Sequence, residues 1–131
     1  MTDDLTLEEL PPGRYPGTIE RVRYSFKATT HIVITYKLDT PDGEVRRIVD
    51  RLPIHASPST AFYFQTALGK GRVEDILRTK GLSLADAQAA GGIRALPGLL
   101  EGIAICIVTR NRRVAGFNCP VVDRIEARIG R

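Results

Sequence analysis

The chain has no tryptophan, one methionine, two cysteines and two histidines in 131 residues. Cys106 and Cys119 are too few for a disulfide scaffold, and in a reducing compartment they read as free, partly buried thiols. With aromatics at 6 %, stacked rings alone cannot carry a large binding surface. No apolar run approaches the ~20 residues that span a bilayer. Met1–Leu10 is acidic and lacks the basic-then-apolar pattern of a signal peptide. A cytoplasmic protein without membrane contact is therefore expected.

Catalytic patterns are missing too. There is no Gly-x-Ser-x-Gly, phosphate loop or dinucleotide fingerprint. Gly69-Lys70-Gly71 lacks the upstream glycine of a phosphate loop and is followed by Arg72, so it reads as a turn between helices. His31, His55, Cys106 and Cys119 are metal-ligand types without paired spacing. Asp39, Asp42, Asp50 and Asp123 read as solvated acids. The expectation is no enzyme, no metal and no cofactor.

What the chain does have is arginine. Arginines are fifteen of its nineteen basic residues, and the net charge is +4. Asp3, Asp4, Glu8 and Glu9 are all the charges before Gly13, so the remaining 19 basic and 11 acidic residues leave a body of +8. Arginine forks onto phosphates and stacks on bases, where lysine acts as a point charge. A basic body of this kind suits a polyanionic partner.

Residues 1–12 read as a flexible acidic arm, and 13–131 as one domain. Arg14–Phe26 alternates as a strand until Val22 falls out of phase, which predicts a bulge near Glu20–Arg21. His31–Thr40 is the clearest strand, with Ile32, Ile34, Tyr36 and Leu38 inward. Pro41-Asp42-Gly43 is a turn, and Glu44–Ile54 returns from it with a second irregularity expected. Ser57-Pro58 predicts a helix running through Ala61, Phe62, Phe64, Gln65 and Leu68. Val73, Ile76 and Leu77 mark a second helix ended by Gly81, and Ser83 caps a third over Leu84–Ala90. Gly102–Arg113 is a strand covered on both faces, Asn111-Arg112-Arg113 a basic turn, and Phe117–Ile129 the last strand.

Three strands, helices, then two strands is the element order of the OB barrel, an oligonucleotide-binding scaffold. The expected fold is mainly β, a five-stranded OB-fold-like barrel with a helical insertion at about 57–100 between strands 3 and 4. Non-specific single-strand binding needs cations on phosphates and flat side chains under bases. The candidate phosphate contacts are Arg21, Arg23, Lys27, Lys37, Arg46, Arg47, Arg51, Arg110, Arg112 and Arg113. The candidate stackers are Tyr24, Phe26, Tyr63 and Phe117.

Leu10-Pro11-Pro12-Gly13-Arg14-Tyr15 before a strand, Asp50-Arg51-Leu52 before helices and Leu100-Glu101-Gly102 before the fourth strand resemble small phage and prophage proteins. Those proteins accompany replication and recombination genes and are related in pattern to phage single-stranded DNA-binding proteins. The resemblance implies an OB fold and single-stranded DNA binding, with replication or recombination proteins and a second copy of the chain as further partners. Unlike relatives with an acidic tail that recruits partners and competes for DNA, this chain ends in Arg128-Ile129-Gly130-Arg131 and keeps its acids in the N-terminal arm. One hypothesis gives those acids the same competing role from the other end. Two rivals to the main reading stand beside it: a protein-interaction module on the same barrel, and a ligand-binding or enzymatic barrel with a pocket at His31 or His55.

Overall fold

The computed structural model describes residues 10–27, 29–56 and 62–128. Among these residues run β1 (Gly13–Ser25), β2 (His31–Asp39), β3 (Val45–Ala56), β4 (Phe62–Phe64), α1 (Ala67–Arg78), α2 (Leu84–Ala90), α3 (Leu96–Leu100), β5 (Ala104–Val114) and β6 (Phe117–Ala127). The strands form one open antiparallel sheet in the order β4-β3-β2-β1-β5-β6. The mainly β class agrees with the sequence pattern. The closed five-stranded barrel does not, because a sixth strand is present and β3 and β6 share no backbone ladder.

β2 obeys the two-residue period throughout, burying Ile32, Ile34, Tyr36 and Leu38. Its turn into β3 uses Gly43 at φ +83°, a value glycine adopts without a Cβ clash. β1 bulges between Ile19 and Arg21, as its broken phase requires, and Val22 returns to the core. The bulge frees the Val22 N–H, which donates to a Glu101 carboxylate oxygen at 2.8 Å. β1 can lie this close to its neighbours because residue 17 is glycine: a Cβ there would strike the Lys37 carbonyl oxygen and sit 2.9 Å from Ile107 Cδ1.

The stretch after β3 departs from expectation. Ser57–Ala61 lies outside the described residues, and Phe62–Phe64 is a strand rather than a helix. Phe62 and Phe64 fit helical spacing and strand alternation equally well. Pairing with Ile54–Ala56 decides between them, and the two rings meet edge-on at 5.4 Å. α1 therefore starts at Ala67, with the Thr66 hydroxyl accepting from the Gly69 N–H at 3.0 Å, and Gly69-Lys70-Gly71 lies inside the helix. Gly81 follows α1 at φ +75°, and Ser83 caps α2 through a reciprocal box with Asp86.

Three smaller expectations also change. β3 pairs with β2 in unbroken register; the second irregularity falls instead on β6, where Asp123 is the extra residue opposite Val108–Thr109 of β5. Asn111-Arg112-Arg113 belongs to β5, and the turn is Ala115-Gly116. β5 is covered fully on one face only, since Ala104 is exposed and Cys106 half-buried.

Val73, Ile76, Leu77, Leu96 and Leu100 of the helices join the inward residues of the strands in one apolar core. The helices thus fill the inner side of the curved sheet, and among the described residues nothing covers its other face. Across the gap between β3 and β6, α1 supplies one buried side chain, Arg72. Its Nη2 donates to the Val122 carbonyl of β6 at 3.1 Å, and its Nε lies 3.0 Å from Asp50 of β3. That second contact is Coulombic, because Nε has no hydrogen-bond partner. The Tyr36 hydroxyl donates to the same Asp50 carboxylate at 2.9 Å. Burial raises the Asp50 pKa despite Arg72, and burial above all raises that of Tyr36.

Candidate nucleic-acid interface

Register decides which cations share a face. Residues directly opposite in an antiparallel pair lie on the same side of the sheet, with Cβ atoms about 5 Å apart. Val33 stands opposite Arg23 on β1 and Arg51 on β3, so one row across three strands is Arg23-Val33-Arg51. The next rows are Arg21-Thr35-Val49 and Thr18-Lys37-Arg47. Five candidate cations thus gather on the face turned away from the core: Arg21, Arg23, Lys37, Arg47 and Arg51. Arg47 is neutralised there by a two-pronged contact to Glu20 at 2.7 and 2.9 Å, which holds the Glu20 carboxyl below its ordinary range. Arg21, Arg23, Lys37 and Arg51 make no ion pair among the described residues.

The same face continues along β3. His55 pairs with Tyr63 of β4, both are exposed, and Tyr63 is 65 % accessible. His55 was missed as a surface residue of this face, although two-residue alternation from Arg51 reaches it.

A second group comes from the hairpin of β5 and β6. β1 pairs with β5 only up to Thr109, so Arg110–Val114 and Phe117–Val121 project beyond it as a two-stranded arm. Its tip, Ala115-Gly116, holds φ +52° and +86°, the all-positive geometry of a two-residue hairpin loop. Arg112, Arg113 and Phe117 are exposed on the arm. Arg110 is tied to Asp123 at 3.4 Å. Arg110 and Arg112 meet Arg51 and Arg72 around a cleft of about 440 Å³ between the edges of β3 and β6. Arg51 therefore belongs to both the sheet face and the cleft.

The remaining candidates separate from this surface. Arg46 is opposite Leu38, on the core side, and wedges under the β2–β3 turn near Asp42 and Glu44. Neighbouring strand residues point to opposite faces, so Arg46 and Arg47 cannot act together. The Tyr24 hydroxyl donates to the Ile93 carbonyl at 2.6 Å, and burial pushes its pKa up to about 12. A ring held this way is no free stacking platform. Phe26 and Lys27 are exposed just beyond β1, with Phe26 72 % accessible.

Elsewhere, burial raises the Cys106 thiol pKa, and both cysteines are free. Among the described residues no three His, Cys, Asp or Glu side chains cluster as a metal site. No helix among them is long and apolar enough to cross a membrane. No protein-family model and no curated protein sequence matches the chain.

Proposed function

We propose that the chain is a non-enzymatic single-stranded DNA-binding protein with little sequence preference, serving replication, recombination or repair of a phage or mobile element. The fold is read as an OB-type barrel whose closing ladder is replaced by side chains. Strand order supports this: β1 is flanked by β2 and β5, and β3 and β6, which run in the same direction, end at the two sides of one gap. The observation that carries the functional reading is the in-register gathering of Arg21, Arg23, Lys37 and Arg51 on one exposed face, where they make no ion pair among the described residues. Cations in rows contact phosphates without reading bases. Tyr63, Phe26 and Phe117 at the margins offer rings for stacking, each contact contributing roughly 1–3 kcal/mol. Electrostatics dominates, so affinity falls steeply with salt.

A second reading, a protein-docking module, draws on Val45 and Val49, which are about half exposed and alternate with Arg47 and Arg51 along β3. Fluorescence anisotropy of labelled oligo-dT and of duplex DNA at two salt concentrations separates the two. Tight single-strand preference that weakens with salt supports DNA binding, and absence of binding at low salt refutes it.

A further inference from the structure

The cleft between β3 and β6 is lined by more than cations. Four guanidinium groups, of Arg51, Arg72, Arg110 and Arg112, stand there against two carboxylates, of Asp50 and Asp123. Arg72 is committed to Asp50 and the Val122 carbonyl, and Arg110 to Asp123. Arg51 and Arg112 make no ion pair among the described residues, so the cleft has an excess of positive charge. The rest of its lining is aliphatic, from Val49 of β3, Leu68 in the first turn of α1, and Val121 of β6. Val49 is 49 % and Leu68 61 % exposed, so bare apolar surface lies beside the cations.

A ligand must match both parts of this lining. A small anion would satisfy the guanidinium groups and leave the aliphatic walls wet. A purely apolar ligand would strip water from Arg51 and Arg112 with nothing in return. A nucleotide has both parts, a ring with apolar faces and an anionic backbone, and about 440 Å³ is within the range of small-ligand sites. The polar edge of an inserted base also needs partners. Arg110 and Asp123, 3.4 Å apart, set a donor beside an acceptor. Every base carries a neighbouring donor and acceptor on its pairing edge, so this couple suits all of them and implies no sequence preference. An acidic peptide with an apolar side chain also has two such parts. The nucleotide is favoured because the cleft adjoins the row Arg23-Val33-Arg51, and a strand crossing that row reaches it at Arg51.

We propose that this cleft receives one base of the bound single strand. The ring lies against Val49, Leu68 and Val121, its edge meets Arg110 and Asp123, and the phosphates on either side contact Arg51 and Arg112. Bases turned out of a stack are commonly held between apolar side chains with their edges hydrogen-bonded. The inference rests on the single-strand-binding reading above, and adds to it a base contact that the cation rows do not make.

The test compares the wild type with Leu68→Gln on two labelled strands of equal length, oligo-dT and an abasic strand. Leu68 is exposed and the replacement is neutral, so the melting temperature and the salt slope should stay unchanged. Leu68→Gln should weaken oligo-dT binding by about fivefold, the low end of one base contact, and leave the abasic strand unaffected. In the wild type the methyl NMR signals of Val49, Leu68 and Val121 should shift on saturation with oligo-dT and stay in place with the abasic strand. Methyl signals unmoved by oligo-dT, or equal weakening on both strands, overturn the inference while single-strand binding stands. No binding of either strand at low salt overturns both. Methyl signals that move with a peptide of aspartate and phenylalanine but not with oligo-dT assign the cleft to a protein partner, and overturn the inference as well.

Discussion

Replacing Arg21, Arg23 and Arg51 together by alanine tests whether the uncovered face of β1–β3 grips a phosphate backbone. Arg21, Arg23, Lys37, Arg51, Arg112 and Arg113 make no ion pair among the described residues. If each meets one phosphate, the log–log dependence of affinity on salt has a slope of about −4, at about −0.7 per contact for single strands. Raising salt fourfold then weakens binding by about 300-fold. Removing three contacts brings the slope to about −2 and the loss to about 20-fold. The three arginines are exposed and bear on no core contact, so the variant should keep its wild-type melting temperature. The control removes the same charge elsewhere: Lys70, Lys80 and Arg94 to alanine, all exposed on or beside the helices. Anisotropy titration of oligo-dT across salt reads both slopes. If the helix-side triple flattens the slope as much as the sheet triple, bulk charge rather than the face carries binding, and the interface assigned above is wrong.

Four further outcomes follow from the geometry. Arg72→Met leaves Asp50 buried without its cation and should cost about 3–5 kcal/mol in urea unfolding, whereas the Arg72→Met, Asp50→Leu double variant should recover much of it; equal losses would show that the pair is not coupled. Gly17→Ala should destabilise by about 1–3 kcal/mol, at the upper end because the Lys37 carbonyl it strikes is backbone, and an unchanged midpoint would refute the close approach. Ala115→Gly should stabilise by about 1 kcal/mol, since a Cβ is unfavourable at φ +52°, and a loss of stability would contradict the turn geometry. Arg14 and then Arg124 hold the Glu126 carboxyl below its ordinary range, so its contribution is present above that range and lost as pH falls through the lowered value. The melting-temperature gap between wild type and Glu126→Gln should therefore narrow as pH falls from neutral to below the ordinary carboxylate range.

Much of the fold is legible where a local rule acts alone. The β2 alternation, the bulge forced by Val22, the Gly43 turn and the Ser83 cap each follow from a few neighbouring residues. β4 is not legible, because Phe62 and Phe64 satisfy two periodicities and only the distant Ile54–Ala56 ladder chooses. The Arg72 link across the gap between β3 and β6 is hidden for a similar reason: nothing in the chain near position 72 says that its cation will meet Asp50 and the Val122 carbonyl. The candidate site divides along the same line. Arg21, Arg23, Lys37, Arg47 and Arg51 are readable as strand cations, but their common face depends on long-range register. Arg46 was readable as the exception, since adjacent residues in a strand cannot share a side.

A ladder of backbone bonds between β3 and β6 would set the spacing of the two strands rigidly and would part only as a unit. In this molecule one side chain from α1 performs that fastening, so the width of the gap between β3 and β6 is a property of a helix rather than of the sheet. Sliding α1 by a fraction of a turn, or shortening residue 72, would reset the width without altering any strand sequence. Variation in the width of that gap, and with it in the size of what the cleft can hold, is thereby open to single substitutions far from every exposed arginine.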